Sequence, residues 1–286
     1  MRSRSRFTIL AVLLVGCTLG CEQRVQSTPP VDPNTVAELR QAKTPEPKTG
    51  NGWGTLAGTF RFQGEAPRMA RFDTSKDSNC TLPVEEESLV VDPITRGLAN
   101  VLIYARQVPE VHPDYLTEPG REVTLTMNHC RFEPHVVASS LKDTFVVQNL
   151  DRAAHNAQGS PPSGNKAYSE VLAPRQDRFE YGKFNKAFAT PYTFGCAIHP
   201  WMKAYHIVRP DPYFAVTAKD GTFKIERLPT GVKLEFQVWH ERGAGETGGL
   251  RAKREWGEAG RFELLIPKDG ETVTLDVEVD ATAFLP

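Results

Sequence analysis

Apolar and polar residues alternate in short stretches along most of this chain, and a period of two is what half-buried β-strands produce. Thr55 to Phe62 puts Phe60 and Phe62 on one face, and Gln63-Gly64 follows as a turn. Asn100 to Ala105, with Val101-Leu102-Ile103-Tyr104, reads as a more deeply buried strand. Further strands are predicted at Val123 to Met127, Thr144 to Gln148, Tyr192 to Cys196 and Tyr205 to Val208. After Pro212 the pattern continues with Thr222 to Glu226, Val232 to Val238, Phe262 to Ile266 and Thr272 to Val279, the last with Val273, Leu275, Val277 and Val279 on one face. No stretch sustains a helical period for long, so the expected fold is all-β, and two β-sandwiches suit 286 residues better than one.

The first residues follow another rule. Arg2, Arg4 and Arg6 lead into the apolar run Phe7 to Val15 and then Gly16-Cys17, the layout of an export signal. The run is too short to cross a bilayer comfortably, which takes about 20 apolar residues. Leu14-Val15-Gly16-Cys17 resembles a bacterial lipobox, which implies a lipoprotein signal peptide over residues 1–17 with Cys17 acylated; Cys21, after Thr18-Leu19-Gly20, fits the pattern less well. Residues 18–52 read as a flexible tether, with Pro29, Pro30, Pro33, Pro45 and Pro47, no aromatic residue from Glu22 to Gly52, and one short helical pattern around Val36 to Lys43. The expected location is the cell envelope or periplasm, with a lipid anchor to the membrane.

Composition narrows the partners. A hydrophobic share of 40% can supply a real core, and 34 basic residues nearly balance 35 acidic ones. No field of one sign points to nucleic acid. Loss of the three leader arginines takes the formal charge from −1 to −4 (−1 minus 3), leaving a mildly acidic mature chain.

The chemistry is concentrated in Cys196-Ala197-Ile198-His199-Pro200-Trp201-Met202, which packs a thiolate, an imidazole and a thioether into one loop at C-x-x-H-x-x-M spacing. A His, His, Cys set with a weak axial Met suits copper alternating between Cu(I) and Cu(II), whereas zinc favours four strong ligands. The second imidazole must come from elsewhere, and His155-Asn156 sits just past the predicted strand Thr144 to Gln148 and the turn residues Asn149 and Asp151. Singly, such residues are usually core fillers; their coincidence in one strand context is what points to a metal.

This loop resembles the C-x-x-H-P-[aromatic]-M loop of amicyanin-like cupredoxins, and the run Val147 to Asn156 resembles the strand that brings that family's first ligand. The resemblance covers about Val123 to Arg209 and implies a cupredoxin Greek-key sandwich at 116–211 holding one copper. His155, Cys196 and His199 would lie in the copper plane, Met202 would be axial, and Asn156 would hydrogen-bond near the sulfur. It also implies an exposed His199 edge bordered by Pro200 and Trp201, although Trp201 packing inward is an equal alternative. The loop Gly159 to Gly164 has no counterpart in that pattern.

The flanks resemble a carboxypeptidase-regulatory-like, or transthyretin-like, β-sandwich. Thr55-Leu56-Ala57-Gly58-Thr59-Phe60 and Gly97 to Tyr104 are similar to its first strands, and Asp220-Gly221-Thr222-Phe223-Lys224-Ile225 with Leu228-Pro229-Thr230-Gly231 to a later hairpin. Segments 53–115 and 212–286 would then form one discontinuous sandwich with the cupredoxin part inserted, an arrangement also similar to methylamine-utilization-like proteins. With Cys196 given to copper, Cys80 and Cys130 are the two cysteines left in the folded part of an exported chain, and a disulfide is expected; a metal site of Cys130 with His129 and His135 is the weaker alternative. Trp239-His240-Glu241 reads as a strand end, and His112 and His206 as residues at the surface or beside the metal ligands. The function expected is outer-sphere electron transfer to a redox partner protein of the cell envelope, without enzymatic activity. The alternative is a copper-binding or storage module whose other sandwich binds carbohydrate or protein.

Overall fold

A computed structural model describes residues 50–175 and 177–285. The signal peptide, Cys17, Cys21, the helical pattern at Val36 to Lys43 and all but the end of the tether lie outside the described residues. Among the described residues no helix is long and apolar enough to cross a membrane.

The described chain is all-β. At the centre of a three-stranded sheet, Trp53–Phe62 pairs antiparallel with Thr222–Pro229 and parallel with Thr272–Val279. A four-stranded sheet in the order Phe214–Val216, Leu102–Gln107, Lys233–Trp239, Arg261–Leu265 shares its core, in which Leu56, Phe60, Ile103 and Phe236 are fully buried. Burying each such side chain contributes about 1.5–3 kcal/mol, so strands from both ends of the sequence are held together by ordinary apolar packing. The turn that leads from Phe214–Val216 into Thr222–Pro229 has a local cause. Gly221 takes φ +81°, which a side chain resists, and the Asp220 carboxylate accepts the Thr222 N–H at 3.0 Å.

Between these segments the chain builds a second pair of sheets. One runs Tyr168–Leu172, His155–Gly159, Tyr192–Gly195, Lys203–Arg209, Val136–Ser140; the other runs Asp177–Gly182, Thr144–Asn149, Glu122–Asn128, Arg131–Glu133. They enclose a core that includes Leu125, Phe145, Val147 and Ile207, with Phe132 and Phe194 edge to face at 4.7 Å. The strand Leu102–Gln107 serves both cores, because alternate side chains of a strand face opposite ways. Leu102 and Tyr104 enter the second core, and Ile103 and Ala105 the first.

The reading of His206 as a residue at the surface or beside the ligands is corrected. It lies inside the second core, its ring 4.5 Å from that of Phe145 and its Nε2 bonded to the Ser139 hydroxyl at 2.8 Å. Burial drives its pKa down to about 3, so it is neutral. His112 is half-buried and caps the short helix Pro113–Thr117.

Candidate metal centre

The loop from Cys196 to Met202 joins two antiparallel strands, Tyr192–Gly195 and Lys203–Arg209, with Gly195 opposite Lys203. Backbone bonds close it: Cys196 N–H to Met202 O at 3.3 Å and Met202 N–H to His199 O at 2.9 Å. His155 opens the strand His155–Gly159, which pairs with Tyr192–Gly195, so one sheet delivers both halves of the site. No regular alternation marks His155-Asn156-Ala157-Gln158-Gly159, and its strand character comes from pairing on both sides.

His155, Cys196 and His199 converge, with one donor atom from each within 4.8 Å of the others. All three are buried. The two Nδ1 atoms face one another at 2.9 Å, and the Cys196 sulfur is 3.9 Å from His199 Nδ1. Each Nε2 is already committed: that of His155 to Asp151 Oδ2 at 2.8 Å, that of His199 to Asp77 Oδ2 at 2.9 Å. Two imidazole lone pairs do not face each other bare, so either a proton or a cation belongs between them. Met202 is buried in the same core as Cys196. A thiolate and two imidazoles are soft and borderline donors, a set that fits copper.

The sulfur is prepared as a thiolate. Burial would raise its pKa, but hydrogen bonds from His155 and from the backbone N–H groups of Asn156, His199 and Ile198 outweigh it and hold the thiol down at about 6. The reverse balance acts on His155, where burial alone would lower the pKa and the Asp151 carboxylate and Cys196 sulfur lift it to about 9. Asn156 serves the site twice. Its backbone N–H donates to the Cys196 sulfur at 3.2 Å, and its side-chain oxygen accepts the Ala197 N–H at 3.3 Å.

Cys80 and Cys130 form a disulfide, which removes Cys130 from any site with His129 and His135. His135 instead pairs with Glu241, which also accepts the Tyr205 hydroxyl at 3.0 Å. Trp201 packs inward, its indole N–H donating to the Cys130 carbonyl at 3.1 Å. The exposed His199 edge is not found. His199 is 2% exposed, and the turn carrying Asp77 and Cys80 lies against its Nε2, with the Cys80 sulfur 3.8 Å away.

Asp77 and Asp151 are the site residues that sequence reasoning missed. Asp151 stands four positions before His155, and that spacing was available as a signal. Asp77 carries none, being 122 residues from His199.

No known family profile and no curated protein matches the sequence. Solved structures are similar over part of it. A Cu(I) form of an amicyanin mutant is 18% identical, the match covering 31% of this chain and 82% of that one at a TM-score of 0.27. A Cu-containing nitrite reductase from Thermus scotoductus SA-01 is 23% identical over 35% of this chain and 27% of its own, with a TM-score of 0.29. A purple cupredoxin from Nitrosopumilus maritimus is 20% identical over 30% of this chain and 98% of its own, with a TM-score of 0.25. In each case the similar stretch spans about a third of this chain.

Proposed function

We propose that this protein would hold one copper ion through His155, Cys196, His199 and Met202, and carries single electrons. The observation that carries the reading is the buried convergence of two Nδ1 atoms and a thiolate whose outer hydrogen bonds are already made. Copper supplies the Cu(I)/Cu(II) couple. The chain's own residues hold the imidazoles in one orientation, keep the thiol ionised and exclude water, so little need rearrange between oxidation states. No substrate step is assigned to it. The basic-apolar leader ending at Cys17 supports export and a lipid anchor at the cell envelope, where the electron partner would be another protein.

The covered His199 edge favours a second reading, in which the site stores copper or hands it on. A visible spectrum of the copper-loaded protein separates the two. Intense thiolate-to-copper absorption with reversible cycling is expected for electron transfer; a colourless protein retaining only Cu(I) would replace that reading with storage.

A further inference from the structure

We propose that Asp77 and Asp151 are the positioning residues of this metal centre, one for each imidazole, and that the Cys80–Cys130 disulfide fastens the Asp77 clamp to it. The proposal rests on the copper reading above and deepens it.

An imidazole that offers Nδ1 to a metal is oriented by whatever binds its Nε2–H. For His155 that partner belongs to the same sandwich. Asp151 sits on the turn after Thr144–Asn149, and the Asn149 side chain braces this turn by reaching the Ala153, Leu172 and Ala173 carbonyls at 2.9, 3.1 and 2.9 Å. For His199 the partner comes from outside the sandwich. Asp77 lies between the short strands Arg71–Phe72 and Val84–Glu85, and its carboxylate is aimed by its own turn, where Oδ1 accepts the Asn79 N–H at 2.8 Å while Oδ2 meets His199.

The segment carrying Asp77 has little else to hold it. From Arg71 to Pro83 only Cys80 is buried, and the half-buried Phe72 joins only the small cluster of Cys80, Val84, Cys130 and Ala153, so packing against the two main cores does not fix the turn. The disulfide does. Cys80 N–H bonds to Asp77 O at 3.0 Å, which ties the clamp to the cystine. On the other side, the Cys130 N–H donates to Asp151 Oδ2 at 2.8 Å, the same oxygen that meets His155, and the Cys130 carbonyl accepts Trp201, whose ring stands 5.0 Å from that of His199. One cystine therefore touches the supports of both imidazoles, but unequally: Asp151 has the braced Asn149 turn besides, and Asp77 has only the cystine and the small cluster of Phe72 and Val84 around it. Loss of the disulfide should free His199 and leave His155 largely held.

The test uses the full chain with 15N-labelled histidine and follows exchange of each Nε2–H with water in the metal-free protein, then transfer of Cu(I) from the loaded protein to a chromogenic chelator. Asp77→Ala and the Cys80→Ser/Cys130→Ser double variant are expected to exchange the His199 Nε2–H and release Cu(I) about tenfold faster than wild type, in keeping with the usual cost of losing such a partner. Asp77→Glu should restore part of the protection, and the His155 Nε2–H should respond to Asp151→Ala and little to the disulfide variant. Exchange and release within twofold of wild type in both Asp77→Ala and the double variant would overturn the proposal, as would equal loosening of both histidines in the double variant. A wild-type protein that takes up no copper would sink the copper reading, whereas the exchange measurement needs no metal and judges the clamp alone.

Discussion

The two sandwiches are built from different material. In the flanking one the buried polar side chains among the described residues are few, including Thr217, Thr230, Gln237 and His240, and the interior rests on residues such as Phe60 and Phe236. In the one that carries His155 and Cys196, the residues Asp143, Asn149, His155, Asn156, His199, His206 and Arg209 are all buried, each with a specific partner. An apolar core tolerates exchange of one shape for a similar one, whereas a buried polar network fails when a single partner is removed. The first sandwich is a scaffold; the second is an arrangement of particular atoms.

The sharpest way to break this contrast is to strike each half at its centre. Cys196→Ser should abolish the thiolate-to-copper absorption entirely while leaving metal-free stability nearly unchanged. Phe236→Ala should cost about 3–5 kcal/mol in urea unfolding and leave the colour of the folded fraction intact. If the two variants exchanged effects, the division of labour would be wrong.

A smaller effect is expected at Asn149, where Leu of similar size would leave buried carbonyls unpaired. Asn149→Leu should lose about 1–3 kcal/mol and also slow copper uptake, since the Asn149 turn carries Asp151; a purely structural loss with unchanged uptake would separate the turn from the site.

Acid should act through the buried neutral histidines. His206 and His240 have pKa values of about 3 and about 4, in both cases chiefly because burial penalises the charged ring, while the unfolded chain titrates near the usual 6.5. Between those limits the unfolded state binds more protons, so stability falls as pH drops below about 6.5, by at most ~1.4 kcal/mol per pH unit for each group. His206→Gln should flatten that slope in denaturation measured from pH 7 to 5. An unaltered slope would show that His206 is not held neutral. The smallest change is expected from Met202→Leu, which should keep the colour and raise the reduction potential, because a lost weak donor disfavours Cu(II); electrochemistry that found the potential unmoved would remove Met202 from the proposed set of copper ligands.

How much was legible in the sequence follows the same division. Strands such as Trp53–Phe62, Lys233–Trp239 and Thr272–Val279 declare themselves by alternation, because burial on one face is what selects their residues. His155–Gly159 and Asp177–Gly182 do not, since their positions are set by pairing with strands that do not adjoin them in sequence, Tyr192–Gly195 and Thr144–Asn149. In the site, the loop Cys196 to Met202 was readable because its donors are close in sequence. The covering of His199 was not, because it depends on a carboxylate with no local signature and on a segment carried in by a disulfide between residues separated by 50 positions.

The strand Leu102–Gln107 has a consequence for handling the molecule. Its side chains complete two interiors at once, with Trp239 joining Leu102 and Tyr104 against the core that contains Cys196 and Met202. Excision of residues 116–211 as a portable cassette would leave those three behind and open an apolar wound, the kind of surface that drives self-association. Calorimetry on the intact protein should accordingly record one melting transition, with both halves surrendering together.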